Sequence, residues 1–290
     1  MNSPAASWSV RQILGQGDLP KLVIETPFSV AEIYLHGAHV THFQKKGEKP
    51  LLFMSAKSQF AAGKAIRGGV PLIFPWFGAK EGSAAHGIGR TNGWRLLNVS
   101  PTSEGGAKLR FGFPSEIRAV AYPEFESEFE VEVGTSLTMR LVFHNSSNED
   151  LSIEDCMHTY FQVGDIRQVS IQGLKGVSYL DKVDGGKSKT ETKESIRIES
   201  EVDQVYLNTS GTTEILDESF RRRIRIQKEG SNSAVVWNPW VDKSKSMADF
   251  GDEEYVNMLC VECGNVGSHQ RRLAPGDRVS TMVRISSESI

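Results

Sequence analysis

The chain has 290 residues, 39% of them hydrophobic and 24% charged, with a net charge of −3. That length can bury a sizeable core, and without a basic excess the chain is not a general nucleic-acid binder. No window has the uninterrupted apolar length of a membrane span, and Met1 to Val10 has neither the basic nor the apolar region of a signal peptide.

Taken in chain order, the first signal is His36, His39 and His42. Gly37 and apolar flanks predict a strand there, with His39 pointing away from the other two and no metal held between them. Ala65 to Gly78 follows, with Arg67 ahead of two glycines and then two prolines and three aromatics. The glycines would let backbone come close to whatever Arg67 grips. Leu109, Phe111 and Phe113 open a series of half-buried strands by their period of two. Phe129, Val131 and Val133 alternate with glutamates, and Leu137, Met139, Leu141 and Phe143 alternate with polar residues. Lys187 to Lys193 is charged and predicts a loop or hairpin tip. Its neighbours Gly185, Gly186, Lys187 and Ser188 imitate the end of a phosphate loop, but Asp181 stands where the first glycine belongs. Arg221 to Arg225 is the one dense basic run, and its alternation with Ile224 and Ile226 predicts a half-exposed strand with a solvated basic face. A short helix is predicted within Ser244 to Phe250. Val279, Thr281, Val283 and Ile285 form the last strand. Turn signals at Gly105-Gly106, Asn145 to Asn148, Asp184 to Gly186 and Pro275 to Asp277 separate the strands. The prediction is an all-β antiparallel sandwich in one domain, residues 1–290.

Two segments carry the chemistry. Asp155 to Phe161 and Leu259 to Asn265 each read as a strand holding one ionisable residue, His158 and Glu262, among residues that are normally buried. On a strand Met258, Cys260 and Glu262 share one face, and Leu259, Val261 and Cys263 the other. Both faces look apolar, so Glu262 needs a partner or a cleft. Taken alone, His158 reads as a satisfied core histidine and Asp203 as a surface acid. Together, a histidine and a carboxylate are the minimum equipment for moving one proton onto a substrate and another off it. Cys260 and Cys263 imitate a metal or redox pair, but positions three apart on a strand face opposite ways and no second pair exists. Arg67 and Arg90, each beside glycines, are equally compatible with a phosphate clamp and with surface arginines on a stiff loop. Three cysteines make no disulfide framework, so the expected compartment is the cytoplasm.

Across Ala65 to Gly78, His86 to Arg90, Asp155 to Gly164, Val202 to Asn208, Val236 to Tyr255 and Leu259 to Val266, the sequence resembles the hexose-6-phosphate mutarotases. These form the glucose-6-phosphate 1-epimerase branch of the aldose 1-epimerase family. The resemblance implies a galactose-mutarotase-like β-sandwich and interconversion of the α and β anomers of a hexose 6-phosphate. It implies His158 as general acid and Glu262 as general base, with Arg67, His86, Arg90 and Asp203 binding the substrate. Ala85 and Gln204 depart from the family pattern, where some relatives carry a glutamine at the first position and an arginine is common at the second. The chemistry suits these residue types. Opening a cyclic hemiacetal takes a proton off the C1 hydroxyl and puts one on the ring oxygen. No hydride, electron or group is transferred, so neither cofactor nor metal is required. The expected partner is a small-molecule hexose phosphate, with no nucleic acid and no membrane, and the expected assembly is a monomer. Rival readings are a mutarotase for unphosphorylated aldoses and a non-catalytic carbohydrate-binding domain.

Overall fold

Strands that alternate apolar and polar residues have one face to bury, and two large sheets here bury theirs in a common core. The computed structural model describes residues 8–117 and 122–290, so most of Met1 to Val10 lies outside the described residues. One sheet runs, in spatial order, Ser195–Arg197, Val169–Gln172, Thr213–Asp217, Arg222–Glu229, Arg278–Ser289, Leu137–Asn145, Phe125–Val133, Ala107–Gly112 and Arg95–Pro101. The other runs Lys187–Thr190, Ser178–Asp181, Val202–Leu207, Ser233–Asn238, Met258–Asn265, Asp155–Met157 and Leu72–Ile73, with Tyr160–Gln162 also on the Met258–Asn265 strand. A four-stranded meander, Ser9–Leu14 through His39–Lys45, adds Leu22, Ile24, Ile33 and Val40 to the same core. The named strand pairs of both large sheets are antiparallel.

The period-two expectations for the first sheet hold. Phe129, Val131, Val133, Leu137, Met139, Leu141 and Phe143 are all fully buried, while Glu128, Glu130, Thr138 and Arg140 stand on the outer face. Among the described residues no helix is long and apolar enough to cross a membrane.

Four local expectations change. The charged segment is not a hairpin tip: Lys187–Thr190 is an edge strand paired with Ser178–Asp181, and the turn falls before it. Gly185 and Gly186 take that turn with positive φ, and the lysines that follow keep the open edge charged. The helix spans Trp240–Ser246, earlier than predicted, because the Asn238 side chain accepts the Trp240 N–H at 2.9 Å and starts the turn there. The basic run is a strand, but Arg222 lies in phase with Ile224 and Ile226 and points inward. There its guanidinium donates to the carbonyls of Lys49, Pro50 and Gln162, while Arg225 stays exposed against Glu214. Finally, a bulge at Thr41 leaves His39 opposite Tyr34 and His42 opposite Glu32, which puts those two histidines on one face. Their rings are engaged separately all the same. His39 Nε2–H donates to the Gly68 carbonyl, and His36 Nε2–H to that of Lys64.

Candidate active site

Cross-strand register builds the centre of the site. Met157 pairs with Cys263 and Tyr160 with Cys260, so the same register sets His158 opposite Glu262. The two residues between those pairs leave the ladder: the His158 N–H donates to the Pro71 carbonyl instead, at 3.0 Å. The result is a direct contact, His158 Nε2 to Glu262 Oε1 at 3.2 Å. The face assignment from sequence holds. Leu259, Val261 and Cys263 enter the core between the sheets, and Met258 and Cys260 pack on the other side with Tyr160 and Trp237.

That other side is a cleft of about 300 Å³. Of the six residues singled out in the sequence, Arg67, His86, His158, Asp203 and Glu262 line it, with Phe77, Trp237 and Met247 supplying apolar wall. Arg90 is not on the wall. Its Nη2 donates to the Ala85 carbonyl at 3.1 Å, and its charge acts on His158, Glu262 and Arg67.

Burial acts oppositely on the two side chains. It pushes Glu262 well above the usual carboxylate range, with Asp203 pushing the same way against Cys156, Lys182 and Arg90. It holds His158 well below the usual imidazole range, with His86, Arg90 and Arg67 adding to the effect. Two groups in contact that both resist charge share one proton as a unit. Tyr160 stacks on the His158 ring, centroids 4.7 Å apart and planes 8° apart, and Trp237 meets both rings edge-on. This packing fixes the imidazole plane.

The cations around the pair are held differently. Arg67 donates Nε and Nη2 to Asp249 Oδ2 and Nη1 to the Tyr160 hydroxyl, at 3.2, 3.0 and 2.9 Å. Lys243 pairs with Glu201 at 2.9 Å. Lys182 lines the cleft with its Nζ 5.0 Å from the Phe77 ring centroid and has no salt bridge among the described residues. Its backbone N–H is tied to the Asp203 carbonyl. Burial raises the Asp203 carboxyl, Lys182 opposing, and that carboxylate faces the cleft as an acceptor. His86 accepts the Gly78 N–H on Nδ1 at 3.2 Å, and burial, helped by Arg90, Lys182 and Arg67, pulls it down to about 3. It is therefore neutral, with its remaining proton on Nε2.

The glycines beside the arginines serve the protein itself. A Cβ on Gly68 would lie 2.4 Å from the Phe53 carbonyl oxygen, one on Gly69 2.3 Å from that of Val40, and one on Gly87 1.8 Å from that of Phe74. They pack loop against backbone and do not open a path to a ligand. Cys260 Sγ lies within 4.8 Å of the His158 and Glu262 donor atoms, a convergence the sequence reading did not foresee. By donor type the trio could take a soft divalent ion, but Arg67, Arg90 and Lys182 oppose another positive charge there, and we assign it no metal.

Sequence reasoning also missed Cys156, Tyr160, Lys182 and Asp249. The first two were within reach, since Cys156, His158 and Tyr160 alternate onto one strand face. Nothing local to Lys182 or Asp249 marks them, because each reaches the site from a distant loop.

The aldose 1-epimerase family model matches residues 20–286, and the chain belongs to that family. Two relatives carry the name "Putative glucose-6-phosphate 1-epimerase". The one from Cenchrus ciliaris is 38% identical over 268 residues, 89% of this chain and 81% of its own. The one from Escherichia coli (strain K12) is 33% identical over 257 residues, 88% of this chain and 86% of its own. The crystal structure of a "putative mutarotase (YeaD)" from Salmonella typhimurium superposes with a TM-score of 0.89 at 29% identity, covering 100% of this chain and 96% of that one. A galactose mutarotase-like protein from Clostridium acetobutylicum, 15% identical with a TM-score of 0.72 over 99% of this chain and 100% of its own, shares the fold. The architecture is the galactose-mutarotase-like β-sandwich, and the protein is a carbohydrate isomerase of the anomer-interconverting kind.

Proposed function

We propose that the chain interconverts the α and β anomers of hexose 6-phosphates, chiefly glucose 6-phosphate. The observation that carries this reading is the His158–Glu262 contact at the floor of a cleft ringed by cations. In the reactive form the shared proton lies on the imidazole, and from it Glu262 takes the proton off the C1 hydroxyl while His158 gives one to the ring oxygen. Those two oxygens share one carbon, so a base and an acid already in contact can serve both together. The C1–O5 bond opens, the aldehyde rotates about C1–C2, and as the ring closes on its other face Glu262 returns its proton to O1 while His158 takes back the O5 proton. The pair ends with the single proton it began with, ready to run the reaction either way. Asp203 accepts from ring hydroxyls, and neutral His86 donates to them from Nε2. Arg67 and Lys182, which line the cleft, bind the phosphate, Arg90 adds its charge from behind the wall, and Lys182 has no ion pair among the described residues. Arg67, Arg90, Lys182 and Lys243 outnumber the carboxylates of Asp203, Asp249 and Glu201 around the cleft, and that excess favours a dianion over a neutral sugar.

The test is anomer exchange by NMR on glucose 6-phosphate and glucose in parallel. Faster exchange of the phosphate ester, by tenfold or more in kcat/KM, is the expected result. Equal exchange would move the assignment to unphosphorylated aldoses, and no exchange of either would leave a sugar-binding domain.

A further inference from the structure

Among the described residues the Glu262 carboxylate has two polar partners. Oε1 meets His158, and Oε2 accepts from Cys156 Sγ–H at 3.4 Å. Ionised carboxylates inside proteins gain much of their stability from N–H or O–H donors, and a thiol is a weak donor by comparison. We propose that Cys156 is a positioning residue for the base, selecting which Glu262 oxygen faces His158 and keeping that carboxylate more basic than a hydroxyl donor would. The inference rests on Glu262 being the base proposed above.

The placement is built into the sheet. Cys156 lies two residues before His158, is 1% exposed, and pairs in register with Gly264. A Cβ at Gly264 would stand 2.7 Å from the Cys156 Cα and 2.9 Å from its Cβ. The missing side chain lets Cys156 settle against the strand that carries Glu262, with its sulfur reaching Oε2. The other groups that act on Glu262 are Asp203, Lys182, Arg90 and Tyr160, with Cys260 and Cys263 from its own strand. They set the background in which the base titrates, and Cys156 alone among them hydrogen-bonds to Oε2.

A donor to a carboxylate stabilises its charged form and lowers its proton affinity. Donor strength therefore orders the variants: Cys156→Ser should make the base weaker than wild type, and Cys156→Ala should make it stronger. The experiment is the pH profile of kcat/KM for anomer exchange, using whichever of glucose 6-phosphate and glucose the wild type exchanges faster. Activity falls on the acid side as the pair takes up its second proton. That limb should move down by about half a pH unit in Cys156→Ser and up by about as much in Cys156→Ala. Limbs that stay in place in both variants, or that move the same way, would reduce Cys156 to packing and overturn the proposal. If one variant does not fold, the direction in the other decides alone. Glu262→Gln separates this from the base assignment. An active Glu262→Gln would sink the base, whereas an inactive one beside unmoved limbs would sink Cys156 only.

Discussion

A carboxylate buried beside an imidazole is costly to the folded chain, and the proposed reaction gives Glu262 a use for that cost. Its proton affinity is raised on folding, so between the ordinary carboxylate range and its folded value the native chain holds a proton that the unfolded chain has lost. Stability from this group is thus present at low pH and lost as pH rises through that window. Glu262→Gln should lower exchange by roughly 10²–10⁴-fold and should match or exceed wild-type stability above the window, read by thermal unfolding at two pH values. Wild-type turnover in that variant would transfer the base role to another group. The cations make a second prediction. Losing one charge-assisted hydrogen bond to phosphate costs about 1.5–3 kcal/mol, a ten- to hundredfold loss. Arg67→Ala, Arg90→Ala and Lys182→Gln should each slow glucose 6-phosphate more than glucose. Arg67→Ala will also slow glucose, because it leaves Asp249 and the Tyr160 hydroxyl without their donor. Lys182→Gln removes a charge without breaking an ion pair, which makes it the cleaner measurement. Equal effects on both sugars in Lys182→Gln and Arg90→Ala would detach these cations from the phosphate.

Elements were legible where one rule governed them. Strict alternation identified Phe129 to Val133 and Leu137 to Phe143, and it assigned both faces of the Glu262 strand before any contact was known. It failed at His39, because a single extra residue at Thr41 reverses every face beyond it and leaves no mark in composition. At Arg222 it was the charge of the run that misled, and alternation in phase with two isoleucines was the better guide. The helix was displaced because its start is a hydrogen bond from the Trp240 N–H to the Asn238 side chain and not a hydrophobic period. Loop glycines gave the clearest misreading, since spacing cannot say whether they approach a ligand or their own backbone. Gly87 shows the difference. With φ of +69° and the Phe74 carbonyl oxygen 1.8 Å from a notional Cβ, Gly87→Ala should destabilise the chain by about 3 kcal/mol, measured by urea unfolding. A change below about 0.5 kcal/mol would show that this loop relaxes freely.

For the whole molecule, residue types announced an acid and a base, but not that they touch, because contact depends on register between strands far apart in the chain. The metal question also belongs at this scale. His36 and His39 are bound to separate carbonyls, and Cys260 and Cys263 face opposite sides of their strand. Exhaustive chelation should leave anomer exchange unchanged within a factor of two, and zinc lost in step with activity would show that the His158–Cys260–Glu262 cluster holds an ion after all. The pairing of His158 with Glu262 has one further consequence. More than one hundred residues separate the two positions in the chain, and they meet only when the Asp155–Met157 and Tyr160–Gln162 strands have found their register on Met258–Asn265. On the ribosome, a growing chain acquires the proposed proton donor long before the proposed acceptor, and several strands of both sheets must wait for the later segment. On the proposed mechanism nascent and half-assembled forms should be silent towards sugars, and activity would report that long-range closure of the sheet.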